Sequence, residues 1–195
     1  MSEAERAEAL SLRKAQSHPW HGPPHAFDGE GGYHLSAACY EHAPFIGVSP
    51  KRMVECERDL LAALQCCCEE VHAWCVLPNH YHVLVDTRSL RVVTAALGKF
   101  HGAKSFQWNG QDGARGRQVW HRCSDRRIRS ERHFWAAMNY VHHNPVHHGY
   151  VESREDWPFS SARRFLDEIG REEAARIWKA YPTLDFGKGW DESGM

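Results

Sequence analysis

The sequence predicts an α+β sandwich, an antiparallel sheet with helices on one or both faces. Three observations carry that expectation. Segments of strand-like alternation are separated by two long stretches of helical periodicity. Two of the strand segments are joined by a tight Pro78-Asn79 turn, the mark of a hairpin. The chain has 195 residues, 42% of them hydrophobic and 25% charged, enough for one domain with a real core.

The elements follow in order. A short helical stretch to about Gln16 leads into residues 17–32, rich in His, Pro and Gly. His18-Pro19 and Gly22-Pro23-Pro24 disfavour helix there, which predicts an extended arm. Residues 33–40 read as a first strand. Ser49-Pro50 is an N-cap followed by proline at the first helical position, and Met53, Val54, Leu60, Leu61, Leu64 and Cys68 recur at helical spacing to about Glu70. Residues 72–77 and 80–86 read as the two strands of the hairpin, with Val83 and Val85 alternating against His82 and Leu84. Residues 90–107 form a second long helical pattern, 109–116 a glycine-rich loop, and 118–123 a further strand. Residues 131–143 are helical, with Phe134, Met138 and Val141 on one face, and Pro145 predicts the end of that helix. Short helices near 160–168 and 172–180 precede a tail that frays from Thr183. The expected organisation is an arm over 1–32, the main domain over 33–165 and a helical tail over 166–195.

No apolar run approaches the roughly 20 residues of a membrane span, which excludes a transmembrane protein. The charged start, with Glu3, Glu5 and Arg6, lacks the apolar core of a secretory signal, so the expected location is cytoplasmic. Seven cysteines, an odd number with Cys66, Cys67 and Cys68 consecutive, do not form a disulfide framework. Cys68, His72 and Cys75 lack a convergent fourth ligand for structural zinc, and the cysteines read as small buried apolar residues. The net charge of -1 hides an uneven distribution. From Arg88 to Trp135 there are eleven basic and three acidic residues, a segment charge of +8 that leaves -9 for the rest. A polyanion-binding face and a solvated charged surface both fit that pattern.

Fifteen histidines are the other unusual feature, and two of them, in His80-Tyr81-His82, suggest chemistry. Side chains at i and i+2 of a strand share a face, so one divalent ion can bridge the two imidazoles. A polar strand face that carries two histidines for no chemical reason fits equally well, and a third ligand from elsewhere would decide. Tyr140 and Asn144 stand at i and i+4 on the predicted helix, so hydroxyl and amide point at one place. The amide oxygen is a hard ligand suited to Mg²⁺ or Mn²⁺. The phenol, with a reference pKa of about 10, needs cationic neighbours to act as a nucleophile. A core-edge tyrosine and an asparagine ending a helix before proline is the simpler reading of that pair alone.

Taken as an ordered set, these pieces strongly resemble the HUH single-strand DNA transposases, in particular the REP-associated tyrosine transposases. The resemblance runs from about His25 to Phe165. Its segments are Tyr33-His34-Leu35, then Leu77-Pro78-Asn79-His80-Tyr81-His82, Val119-Trp120-His121-Arg122, Asp125-Arg126-Arg127-Ile128-Arg129, Tyr140-Val141-His142-His143-Asn144-Pro145 and Trp157-Pro158-Phe159-Ser160-Ser161. Two positions depart from the pattern: Cys123-Ser124 stands where an aromatic is common, and His147-His148 where lysine is frequent.

The resemblance implies a ferredoxin-like HUH fold with both histidines on a central strand. It implies that His80, His82 and Asn144 hold Mg²⁺ or Mn²⁺ and that Tyr140 attacks the scissile phosphate of single-stranded hairpin DNA, leaving a 5′-phosphotyrosine and a 3′-OH. Arg122, Arg126, Arg127, Arg129 and Arg132 are then the expected phosphate contacts, with Trp120, Trp108 or Trp20 as possible stacking surfaces. The insertion-sequence members imply a dimer and the REP-associated members a monomer, the latter being the expectation here. The roles of His142 and His143 stay open between a phosphate contact and an exposed helix end. A domesticated hairpin-binding protein without mobilising activity is the main alternative, and a metal-binding module of a ribonucleoprotein a third. Intact His80, His82, Tyr140 and Asn144 favour the enzyme, because a pure binder has no chemical need for all four.

Overall fold

The structure, a computed structural model, describes residues 29–183. The expected N-terminal helix and most of the arm, with Trp20, and the tail after residue 183 lie outside the described residues. Strands β1 (Gly31–Ala38), β2 (Glu70–Val76), β3 (His80–Thr87) and β4 (Ser124–Arg127) form one antiparallel sheet in the order β2-β3-β1-β4. Helix α1 (Pro50–Gln65) follows β1, and α2 (Leu90–Gln111) follows β3, giving the βαββαβ succession of a ferredoxin-like fold. Three further helices complete it: α3 (Glu131–His147), α4 (Ala162–Ile169) and α5 (Arg171–Ala180). Among the described residues no helix is long and apolar enough to cross a membrane.

Strand alternation decides which helix each residue meets. Tyr33, Leu35 and Ala37 of β1 and Tyr81, Val83 and Val85 of β3 face α1 and α2, where Cys56, Leu60, Leu64, Val93, Leu97 and Trp108 complete one core. Ala73, Cys75 and Leu84 face the other way, against Ala137, Met138 and Val141 of α3 and Phe165, Leu166, Ala174 and Ile177 of α4 and α5. Each fully buried leucine contributes roughly 1.5–3 kcal/mol. Cys68 and Cys75, weighed together as zinc ligands, pack on opposite sides of the sheet. Because β3 is covered on both faces, histidines in it are buried as well.

Serine caps start the three long helices: Ser49, Ser89 and Ser130 accept from the amides of Arg52, Val92 and His133. Strands β1 and β2 each begin two residues earlier than expected, and four further boundaries differ more substantially. Helix α1 stops at Gln65, five residues early, because the amides of Cys67 and Cys68 fold back onto the Leu64 carbonyl. Helix α2 continues to Gln111, since Trp108 and Asn109 still face inward and Arg52 grips Gln111 and Asp112. The last strand is Ser124–Arg127 rather than 118–123. Val119 and Trp120 look strand-like because they are buried, but they pack into the core and make a single isolated bridge just beyond β1, between Cys39 and Trp120. The polar Ser-Asp-Arg-Arg run takes the sheet edge, where charge is tolerated and protects against further pairing.

The fourth difference bears on function. Helix α3 runs through Pro145 to His147 instead of ending before it. Proline removes the amide that would bond to the Val141 carbonyl. The turn is nevertheless closed by the His148 amide on the Asn144 carbonyl at 3.0 Å and the Tyr150 amide on the Pro145 carbonyl at 2.9 Å. Asn144 is therefore held inside a helix rather than at a loose end.

Candidate active site

The β1–β3 ladder pairs Ser36 with His82, Ala38 with His80 and His34 with Leu84. Paired residues share a face, so His34, His80 and His82 all stand on the side that α3 covers. All three are buried, between 1% and 4% exposed. Helix α3 lowers Tyr140 and Asn144 onto them, with Tyr140 at 6% exposure and Asn144 fully buried. The phenol ring meets His82 edge-on at 5.1 Å between centroids and His34 at 5.8 Å. One turn further along, Asn144 Oδ1 lies 3.0 Å from His80 Nε2. Segments separated by 48 and 64 residues of chain thus converge, and Asn144 Oδ1 stands beside the His-x-His pair, where a third donor is called for.

These donors fit a divalent cation. Two imidazoles are intermediate ligands and an amide oxygen a hard one, a combination that admits a divalent cation without selecting among Mg²⁺, Mn²⁺ and softer ions. Among the described residues there is no grouping of three or more His, Cys, Asp or Glu side chains around a common point. The set relies instead on Asn144, whose Nδ2 is buried with no hydrogen-bond partner while its Oδ1 is aimed at His80.

Arg126, itself solvent-exposed, borders the inner face. It pairs with His34 across the β1–β4 ladder. Partial desolvation lowers its pKa, and attraction to a Tyr140 phenolate acts in the opposite sense, which marks the two as electrostatic neighbours. Arg122, Arg127, Arg129 and Arg132 are exposed around the β4 edge and the start of α3. Much of the remaining basic segment is neutralised internally: Lys104 by Asp59, Arg117 by Asp112 and Arg88 by Glu69. Arg126 lies on the tyrosine's side of the sheet, whereas Arg127, paired with Tyr33, lies on the other.

Trp120 is not a stacking surface in this structure. It is 8% exposed and stacks on His101 at 4.4 Å, with Trp108 at 5.6 Å, and both tryptophans belong to the core. His142 is neither a phosphate contact nor an exposed helix end. It is fully buried against Phe165, with Nε2 3.0 Å from Ser161 Oγ, and burial holds its pKa down to about 3. His143 is partly buried, 3.4 Å from Arg154. Sequence reasoning gave no role to His34, Asn79 or His148, which all touch the site. Asn79 Oδ1 is 2.7 Å from His80 Nδ1, and the His148 ring meets His80 edge-on at 4.9 Å. The signal for His34 was its position on the first strand, two residues from the partner of His82, which only the register reveals.

No family model matches the chain. A curated protein of Haemophilus influenzae whose assigned name is that of a REP-associated tyrosine transposase is 31% identical over 128 residues, which cover 59% of this chain and 69% of that protein. The REP-associated tyrosine transposase of Escherichia coli K12 is 28% identical over 105 residues, 49% of this chain and 55% of that one. A solved structure of a REP-associated tyrosine transposase bound to a REP hairpin superposes with a TM-score of 0.58 over 74% of this chain and 84% of that chain. At 20% identity that likeness concerns the fold.

Proposed function

This chain belongs to the REP-associated tyrosine transposases, and from that footing we propose that it cleaves and rejoins single-stranded hairpin DNA with Tyr140 as the nucleophile. The observation that carries the proposal is the convergence of Tyr140 and Asn144, one turn apart on α3, onto His80 and His82 of β3. The Tyr140 oxygen attacks phosphorus in line as the phenol gives up its proton, and the bond from phosphorus to the 3′ oxygen breaks. That oxygen leaves with the electron pair and takes a proton, so the products are a 5′-phosphotyrosine and a 3′-OH. A second 3′-OH can reverse the step on a different strand, which accounts for strand transfer without a nucleotide energy source.

His80, His82 and Asn144 are the residues that would hold Mg²⁺ or Mn²⁺, which when bound neutralises charge on the phosphate oxygens. Arg126 lies where it can stabilise both the phenolate and the phosphate, while the exposed arginines hold the strand by its backbone. The His82 and His34 ring edges fix the plane of the tyrosine. All of these groups come from one chain, so the proposed site needs no residue from a second copy.

Incubation with REP-type hairpin DNA and Mn²⁺, followed by denaturing electrophoresis, tests the proposal. The expected result is a covalent protein-DNA adduct that Tyr140→Phe abolishes. Hairpin binding without an adduct, across a range of hairpins, would identify a binding protein instead.

A further inference from the structure

We propose that Asn79 and His34 are positioning residues that lock His80 and His82 in the form carrying hydrogen on Nδ1, so that each ring presents an Nε2 lone pair within the site. This rests on the metal role given above to the two histidines, and it assigns what holds them in a ligating state.

For His80 the hydrogen-bond directions are determined by chemistry. Asn79 Nδ2 can only donate, and it lies 3.1 Å from the His42 carbonyl. That contact fixes the amide so that Oδ1, which can only accept, faces His80 Nδ1 at 2.7 Å. His80 Nδ1 must therefore carry the hydrogen, and in the neutral ring Nε2 is a lone pair. That lone pair meets the oxygen of Asn144 at 3.0 Å. In that form two acceptors face each other, an arrangement that a shared cation, a proton on Nε2 or a turned Asn144 amide resolves.

The carbonyl at the start of this relay is held by an unusual turn. Glu41 and His42 both adopt left-handed backbone, at φ 54 and 52, although neither is glycine. Such residues persist where the surroundings enforce them. Here the Glu41 amide donates to His121 Nε2 at 3.2 Å, the Tyr40 amide to the Val119 carbonyl at 2.8 Å and the Cys39 amide to the Asn79 carbonyl at 2.7 Å. The strained turn and the Pro78-Asn79 turn are thereby fastened to one another.

His82 is handled by the neighbouring strand. Its Nδ1 lies 3.2 Å from His34 Nε2, and the rings stack 5.2 Å apart, 15° from parallel. Either nitrogen of this contact can carry the hydrogen; placed on His82 Nδ1, as proposed, it lets both imidazoles engage a protein acceptor with the same nitrogen and turn the other inward. Partners of this kind set ring orientation and ligand basicity in metal sites, and their removal commonly weakens metal binding by about 10–100-fold.

The test uses the full chain with ¹⁵N-labelled histidine. Long-range ¹H–¹⁵N spectra of the metal-free protein at alkaline pH, where imidazole is neutral, report which nitrogen carries hydrogen. The expected result is Nδ1–H for both rings. Asn79→Leu releases His80 from that form, Asn79→Asp retains it by keeping the acceptor, and His34→Phe, which keeps the stacked ring, releases His82. Mn²⁺ binding, followed by the electron paramagnetic resonance of the unbound ion, weakens about 10–100-fold in Asn79→Leu and His34→Phe and is restored in Asn79→Asp. Nε2–H on His80 in the native chain, or unchanged tautomers and affinity in Asn79→Leu and His34→Phe, overturns the proposal. The expected native tautomers with no Mn²⁺ binding uphold the orientation and overturn the metal reading.

Discussion

Arg126 stands directly opposite His34 across the β1–β4 ladder, which sets its guanidinium on the sheet face that Tyr140 covers. Its neighbours Arg122, Arg127, Arg129 and Arg132 share the exposed edge but not this cross-strand placement. Arg122→Gln should weaken hairpin binding and reduce its dependence on log salt by about 0.7, the value of one single-strand phosphate contact. Arg126→Gln should do the same and also lower the fraction of bound DNA that becomes covalently attached. Binding isotherms over a salt series, with adduct measured at saturating DNA, separate the two effects.

Gly47 supports the turn that carries Asn79. Its amide donates to the Pro78 carbonyl at 2.9 Å, and a methyl group there would overlap the Pro78 ring and come within 2.9 Å of its Cα. Gly47→Ala should cost roughly 1–3 kcal/mol and weaken Mn²⁺ binding, because the backbone of Pro78-Asn79 must move. Chemical denaturation and metal titration of the same variant check both parts.

Asp112 accepts from Arg52 at 2.7 Å and from Arg117 at 2.6 Å, tying α1 to the end of α2. Arg52 and then Arg117 hold its carboxyl down to about 2. The folded carboxylate is thus a weaker base than the unfolded one, near 3.9. Its stabilisation is complete above that value and is lost as pH falls through about 2. Asp112→Asn should lower stability at neutral pH by about 1.5–3 kcal/mol and flatten the acid limb below roughly pH 4. Denaturant midpoints across acid pH measure this.

Burial brings the pKa of His101 down to about 4, and its Nε2 lies 3.0 Å from the Tyr81 hydroxyl. The unfolded imidazole, near 6.5, takes up a proton first, so folding loses stability as pH drops from that value through about 4. His101→Phe should remove this slope. It should also remove one of the two partners of the Tyr81 hydroxyl, the other being the Cys123 thiol, at a cost of about 0.5–1.5 kcal/mol at alkaline pH, so the two stability curves converge on acidification. Thermal melts over that pH range give the comparison.

Periodicity made the α+β architecture, the hairpin and the cores legible, because each is written in apolar spacing within one segment. Periodicity failed where tertiary contacts overrode local preference. Val119 and Trp120 have strand character yet pack as core, and Ser124 to Arg127 lack it yet complete the sheet. Pro145 signals a helix end, but the packing of α3 and the closing bonds at His148 and Tyr150 carry the helix past it. His80, His82, Tyr140 and Asn144 stood out through spacing along the chain. His34, Asn79 and Arg126 take their places through strand register and turn geometry, which no local pattern records.

The proposed reaction is defined by the bond that Tyr140 forms. Purified adduct, digested with protease and nuclease, should yield in mass spectra a peptide containing Tyr140 that carries a nucleotide through its 5′ phosphate, alongside a DNA fragment ending in a 3′-OH. Attachment at any other residue, or a 3′-linked nucleotide on Tyr140, would contradict it.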